Sequence, residues 1–95
     1  MYARKVDANQ AEIVKVMRKM GASVQSLRKI GQGCPDILVG WRQKLFLFEV
    51  KDGSKPPSAR ELTEDEKRWI AAWRSPVHII TSALEAEAFL LMVKP

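Results

Sequence analysis

Two carboxylates and an ammonium recur in this chain at a spacing that could serve phosphodiester hydrolysis. The segment from Pro35 to Lys51, PDILVGWRQKLFLFEVK, opens on Asp36 and closes on Glu49 and Lys51. Such hydrolysis needs an activated water and relief of negative charge on the phosphoryl oxygens, and a divalent metal can do both. Magnesium prefers hard oxygen ligands and keeps several waters. Asp36 and Glu49 would supply two carboxylates, and the main-chain carbonyl of Val50 a third oxygen. Lys51 would orient or deprotonate the attacking water, or stabilise the transition state as a cation.

Alone, Glu49-x-Lys51 reads as a solvated pair at a strand end, worth little to stability. Asp36 after Pro35 alone reads as turn chemistry. The strand context reverses both readings. Side chains alternate along a strand, so Phe46, Phe48 and Val50 share one face while Leu45, Leu47, Glu49 and Lys51 share the other. Asp36 begins the preceding strand of an antiparallel hairpin. The start of one strand then lies beside the end of the next, and Asp36 should meet Glu49 and Lys51 at one rim of the sheet.

The elements that must hold these residues can be read around them. Residues 7–20 are expected to be helical, with Asp7 as N-cap and Gln10 completing a capping box. Ile13, Val16, Met17 and Met20 form its apolar stripe, and Gly21 is its stop. A strand is expected over 22–30, a turn at Gly31-Gln32-Gly33, strands over 36–40 and 44–51, and a reversal at Trp41-Arg42-Gln43. Residues 52–62 are a polar, proline-containing loop. Thr63 and Glu66 form a capping box for a helix to Arg74. Val77 to Thr81 is a strand, and a Ser82/Glu85 box opens a last helix to about Met92. The expected order is α-β-β-β-α-β-α, in a single domain spanning 1–95.

Ninety-five residues with 46% hydrophobic and 28% charged side chains suit one small globular domain rather than a disordered chain. The net charge of +5, with a pI near 9.7, suits a polyanionic partner. Generic solubilising charge would look the same. The lone Cys34 excludes an internal disulfide, which fits a reducing cytoplasm. No apolar run approaches the ~20 residues that span a bilayer, so no membrane role is expected. MYARKVDANQ has no apolar core of a secretory signal.

The pattern Pro35-Asp36 … Glu49-Val50-Lys51, with its preceding helix, resembles the PD-(D/E)XK nuclease superfamily. The fuller string GASVQSL, GCPDILVG, FEVKDG and KPPSARELT, with a Trp-containing helix after it, resembles the VRR-NUC domain over about residues 7–90. The resemblance implies a restriction-endonuclease-like α/β core, a mixed sheet flanked by helices. It also implies Mg²⁺- or Mn²⁺-dependent DNA cleavage leaving a 5′-phosphate, by a homodimer acting on branched DNA such as Holliday junctions. Stand-alone members of this size resemble phage-borne proteins, so a phage or bacterial origin is expected. Members often place an acid on the first helix near the metal, and Glu12 is the matching position, with an exposed helix glutamate as the alternative. The second helix commonly carries a glutamine near the site. Here Glu66 stands in its place, either completing the capping box alone or also facing inward.

Arg28, Lys29, Arg42, Lys44, Lys55 and Arg60 are candidate DNA contacts, with Lys55 and Arg60 favoured because their loop follows Lys51. Phosphate contacts give affinity and salt sensitivity rather than sequence specificity. No segment resembles a major-groove reading helix, so recognition by DNA shape is expected. Trp69, Ile70 and Trp73 read as core, with a dimer interface as the sharper alternative. Trp41 at the hairpin tip would meet a partner or a base. Cys34 reads as a small apolar filler, and the single His78 gives no zinc pattern. The alternative functions are a flap or nicking nuclease with the same site, and a basic DNA-binding module without catalysis.

Overall fold

The structure is a computed structural model describing residues 9–95. Its elements are α1 (Gln10–Met20), β1 (Ser23–Ser26), β2 (Ile37–Trp41), β3 (Lys44–Val50), α2 (Glu64–Ala72), β4 (Val77–Ile80) and α3 (Ala83–Met92), with a 3-10 turn at Pro57–Arg60. This is the expected α-β-β-β-α-β-α succession. One sheet runs β1-β2-β3-β4, antiparallel as far as β3 and parallel between β3 and β4. A parallel step needs a crossover, and the loop and α2 after Lys51 provide it.

The apolar stripe of α1 faces inward: Ile13 and Met17 are fully buried, and Val16 and Met20 pack against the same core. Ile37, Val39, Phe48, Val50 and Ile80 of the sheet meet Ala86 and Leu90 of α3 there. Each large side chain so buried contributes about 1.5–3 kcal/mol, so this face anchors the ends of β2 and β3. His78 lies 4.7 Å from the Phe89 ring and 5.5 Å from Phe48, centroid to centroid. Burial lowers its pKa, which keeps it a neutral core imidazole.

Several element ends differ from the sequence reading. Asp7 lies outside the described residues. α1 starts at Gln10, and Asn9 takes the cap position without a side-chain bond to the helix. The strand expected over 22–30 stops at Ser26: Leu27 N–H makes a last bond to the Asp36 carbonyl, and Ile30 N–H then closes a turn onto the Leu27 carbonyl. The chain turns there, placing Arg28 and Lys29 beyond the strand. Trp41 belongs to β2 and pairs with Lys44. The reversal is then Arg42-Gln43, both at positive φ (50° and 68°), as a type I′ hairpin turn requires. Nor is Trp41 left open at a tip: its Nε1 donates to the Leu90 carbonyl at 2.8 Å and it packs against the core. Ser82 caps α3, but Glu85 reaches the N–H of Thr81 (2.6 Å), so only half of the expected box forms.

α2 corrects a larger expectation. It ends at Ala72 and buries none of its residues. Trp69 and Ile70 are half-buried, and Trp73 is 48% exposed. The physical reason is layer order. α1 and α3 fill the core face, while α2 overhangs the opposite face of the sheet. There Leu38, Leu45, Leu47, Trp69 and Trp73 wall an open apolar groove of about 730 Å³.

Candidate active site

The hairpin register brings the two sequence-predicted carboxylates together. Ile37 pairs with Phe48, so Asp36 and Glu49 fall side by side at the rim. Asp36 Oδ2 accepts the N–H of Val50 at 2.7 Å, which fixes its carboxylate against the end of β3. Lys51 N–H donates to the Ile80 carbonyl at 3.0 Å and holds the following residue to β4. Asp52 Oδ1 accepts from the N–H and hydroxyl of Ser54 (2.9 and 2.7 Å), bending the chain away. Gly53 packs so close to Thr81 that a Cβ would stand 2.8 Å from the Thr81 carbonyl oxygen. Asn9 adds a clasp from α1: its Nδ2 donates to the carbonyls of Lys51 (3.0 Å) and Thr81 (2.8 Å).

The charges at this rim are crowded. Glu49 is only 3% exposed. Burial first, then hydrogen-bond contact with Glu66 and the charge of Asp36, pushes its pKa up to about 10. Lys51 Nζ lies 3.7 Å from Glu49 Oε2 and 2.8 Å from Glu66 Oε1. Glu66 also completes the capping box of α2, accepting the N–H of Thr63 at 2.8 Å while Thr63 caps its own N–H. Burial raises the Glu66 pKa, but contacts from Glu49, Lys51 and Thr63 outweigh it and hold the carboxyl below its usual range. Glu49 is therefore the neutral acid in this cluster and Glu66 the charged one.

The donor set fits a hard divalent cation. Carboxylates packed this closely repel one another, and a bound cation would relieve that repulsion. Among the described residues, no three His, Cys, Asp or Glu side chains form a ready metal cage. Asp36 and Glu49, completed by waters, would match the sparse ligation that magnesium tolerates.

The other expected residues divide by position. Glu12 is exposed in the first turn of α1. Arg28 and Lys29 lie in the turn tied to Asp36 through Leu27. Lys55 and Arg60 follow Lys51 in the same loop, and Arg60 Nε is buried with no hydrogen-bond partner among the described residues. Arg42 and Lys44 stand elsewhere. Arg42 lies in the hairpin turn and Lys44 follows it, at the far end of β2 and β3, roughly 17 Å away at the rise of a strand. There they donate to the carbonyls of Val93 and Lys94 after α3, so the structure does not bring them to the rim.

Sequence reasoning left Glu66 between two roles, and the fold gives it both. It missed Asn9 altogether, because the helix expected over residues 7–20 placed it inside the first turn. It also missed why Gly33 is a glycine. Gly33 sits at φ +86° against the first turn of α2, where a Cβ would come 2.2 Å from the Asp65 carbonyl oxygen.

A mixed four-stranded sheet with helices on both faces and an acid–acid–lysine rim defines a restriction-endonuclease-like α/β architecture. Among solved structures the chain is similar to one described as a VRR_NUC domain, with 22% identity over 90% of this chain and 98% of that one and a TM-score of 0.57. The two share a fold along nearly their whole lengths. No family model and no curated protein matches the sequence. No helix among the described residues is long and apolar enough to cross a membrane.

Proposed function

We propose that the protein is a Mg²⁺- or Mn²⁺-dependent endodeoxyribonuclease that acts on branched DNA as a homodimer. The convergence of Asp36, Glu49 and Lys51 at one rim carries this reading. The fold shared with a VRR_NUC domain, a nuclease-type domain, supports it. When bound, the metal would neutralise phosphoryl charge and acidify a water. Asp36, Glu49 and the Val50 carbonyl would hold it, with Glu12 assisting. Glu49 must release its proton to do so. Lys51 keeps an ammonium beside the reacting phosphate, where it can orient water and stabilise developing charge. Arg28, Lys29, Lys55 and Arg60 would bind flanking phosphates.

Recognition of DNA by shape rather than by sequence belongs to the same proposal. A second copy is supported by the open sheet face, where Leu45 is 75% and Ile79 48% exposed. The test is incubation with labelled four-way junctions, flaps, nicked and linear duplexes, with Mg²⁺, Mn²⁺ or chelator, alongside the mass in solution. Metal-dependent cleavage favouring junctions is expected. No cleavage of any substrate with either metal would sink the enzyme reading and leave a DNA-binding module.

A further inference from the structure

We propose that Glu66 is the positioning residue for Lys51, holding the amine in the place from which it acts. The inference rests on the nuclease reading above. Lysine carries its charge on a flexible four-carbon stem, so a defined amine position must be imposed from outside. Glu66 Oε1 lies 2.8 Å from Lys51 Nζ, closer than Glu49 Oε2 at 3.7 Å. The same oxygen accepts the N–H of Thr63, so the carboxylate cannot swing without breaking the cap of α2. That first turn is itself seated against the backbone at Gly33, on the loop leading into Asp36. Glu66 thus ties together the Asp36 loop, the start of α2 and the lysine. A site built on rigid elements holds its geometry better than one on free side chains. The role is separable from capping, because Thr63 contributes only to the cap.

The test compares Thr63→Ala, Glu66→Ala and Glu66→Gln, with Lys51→Ala as reference. Thr63→Ala and Glu66→Ala both break the cap and should lower Tm alike. Glu66→Ala should lower kcat about 100-fold, the lower end of what a positioned acid–base group contributes, with KM for DNA within about 2-fold. Thr63→Ala should stay within about 3-fold of wild type, and Glu66→Gln, which keeps the acceptor oxygen, should restore most of the rate. In the metal-free protein, the ¹⁵N resonance of the Lys51 ammonium should be that of an immobilised amine in wild type and Thr63→Ala, and of a free one in Glu66→Ala. Should Glu66→Ala not fold, Glu66→Met, which keeps volume and helix propensity, replaces it in the same comparison. Equal rates and equal lysine spectra in the Glu66 and Thr63 variants would overturn the inference and leave Glu66 a helix cap. That outcome with an inactive Lys51→Ala leaves the nuclease reading standing, whereas a fully active Lys51→Ala overturns both.

Discussion

Glu49 is an acid that folding places in a poor environment for its charge. Its neighbours are Asp36, Glu66 and the apolar end of β3, and its pKa stands near 10 against an ordinary 4.5. Folding therefore favours its protonated form. That contribution is complete below about pH 4.5 and is lost as pH rises toward 10. The metal-free protein should accordingly melt at falling temperatures as pH is raised across this window. Glu49→Gln, an isostere of the protonated acid, should flatten that dependence and melt at a higher temperature than wild type at pH 8. Calorimetry of both proteins from pH 5 to 9 checks this, and parallel curves would refute it. Asp36, Glu49 and Lys51 were legible because strand alternation and hairpin polarity suffice to bring them together. Glu66 was legible only in part, because Thr-x-x-Glu before a helix is already explained by capping.

The loop Gly31–Cys34 is the hinge on which the rim and α2 are set against each other. Gly31, Gln32 and Gly33 all lie at positive φ (71°, 56° and 86°), and Gly33 leaves no room for a Cβ beneath Asp65. Gly33→Ala should cost about 1–3 kcal/mol in backbone strain alone, with more from the clash. Denaturant unfolding should show a lower midpoint, and NMR should show the largest shifts in the first turn of α2. An unchanged midpoint would mean that this contact is not tight. The turn itself was readable from its glycines, as were the apolar stripe of α1 and the hairpin. The early end of β1 was not, because the turn that Ile30 N–H closes onto the Leu27 carbonyl holds none of the usual turn residues. The half-exposed face of α2 escaped too: a run of Trp and Ile looks the same above a filled core and above an open groove.

The chain carries a net charge of +5, and the fold distributes its candidate DNA contacts unevenly. Arg28 and Lys29 follow the Leu27 bond to Asp36 and Lys55 and Arg60 follow Lys51 in sequence, whereas Arg42 and Lys44 hold the main chain after α3. Neutralising one of the first four should reduce the slope of log K against log[salt] by about one, and neutralising Arg42 or Lys44 should leave it unchanged. Equal slopes in all six variants would show that position in the fold does not select the contacts. Charge alone gave no hint of this division, because it depends on which end of the β2–β3 hairpin each residue occupies. The proposal that Asp36, Glu49 and Lys51 form one catalytic rim is tested most directly by Lys51→Ala. Single-turnover cleavage of a labelled four-way junction in Mg²⁺ should fall about 10³-fold, with junction affinity and far-UV circular dichroism unchanged. Cleavage by that variant at the wild-type rate would contradict it.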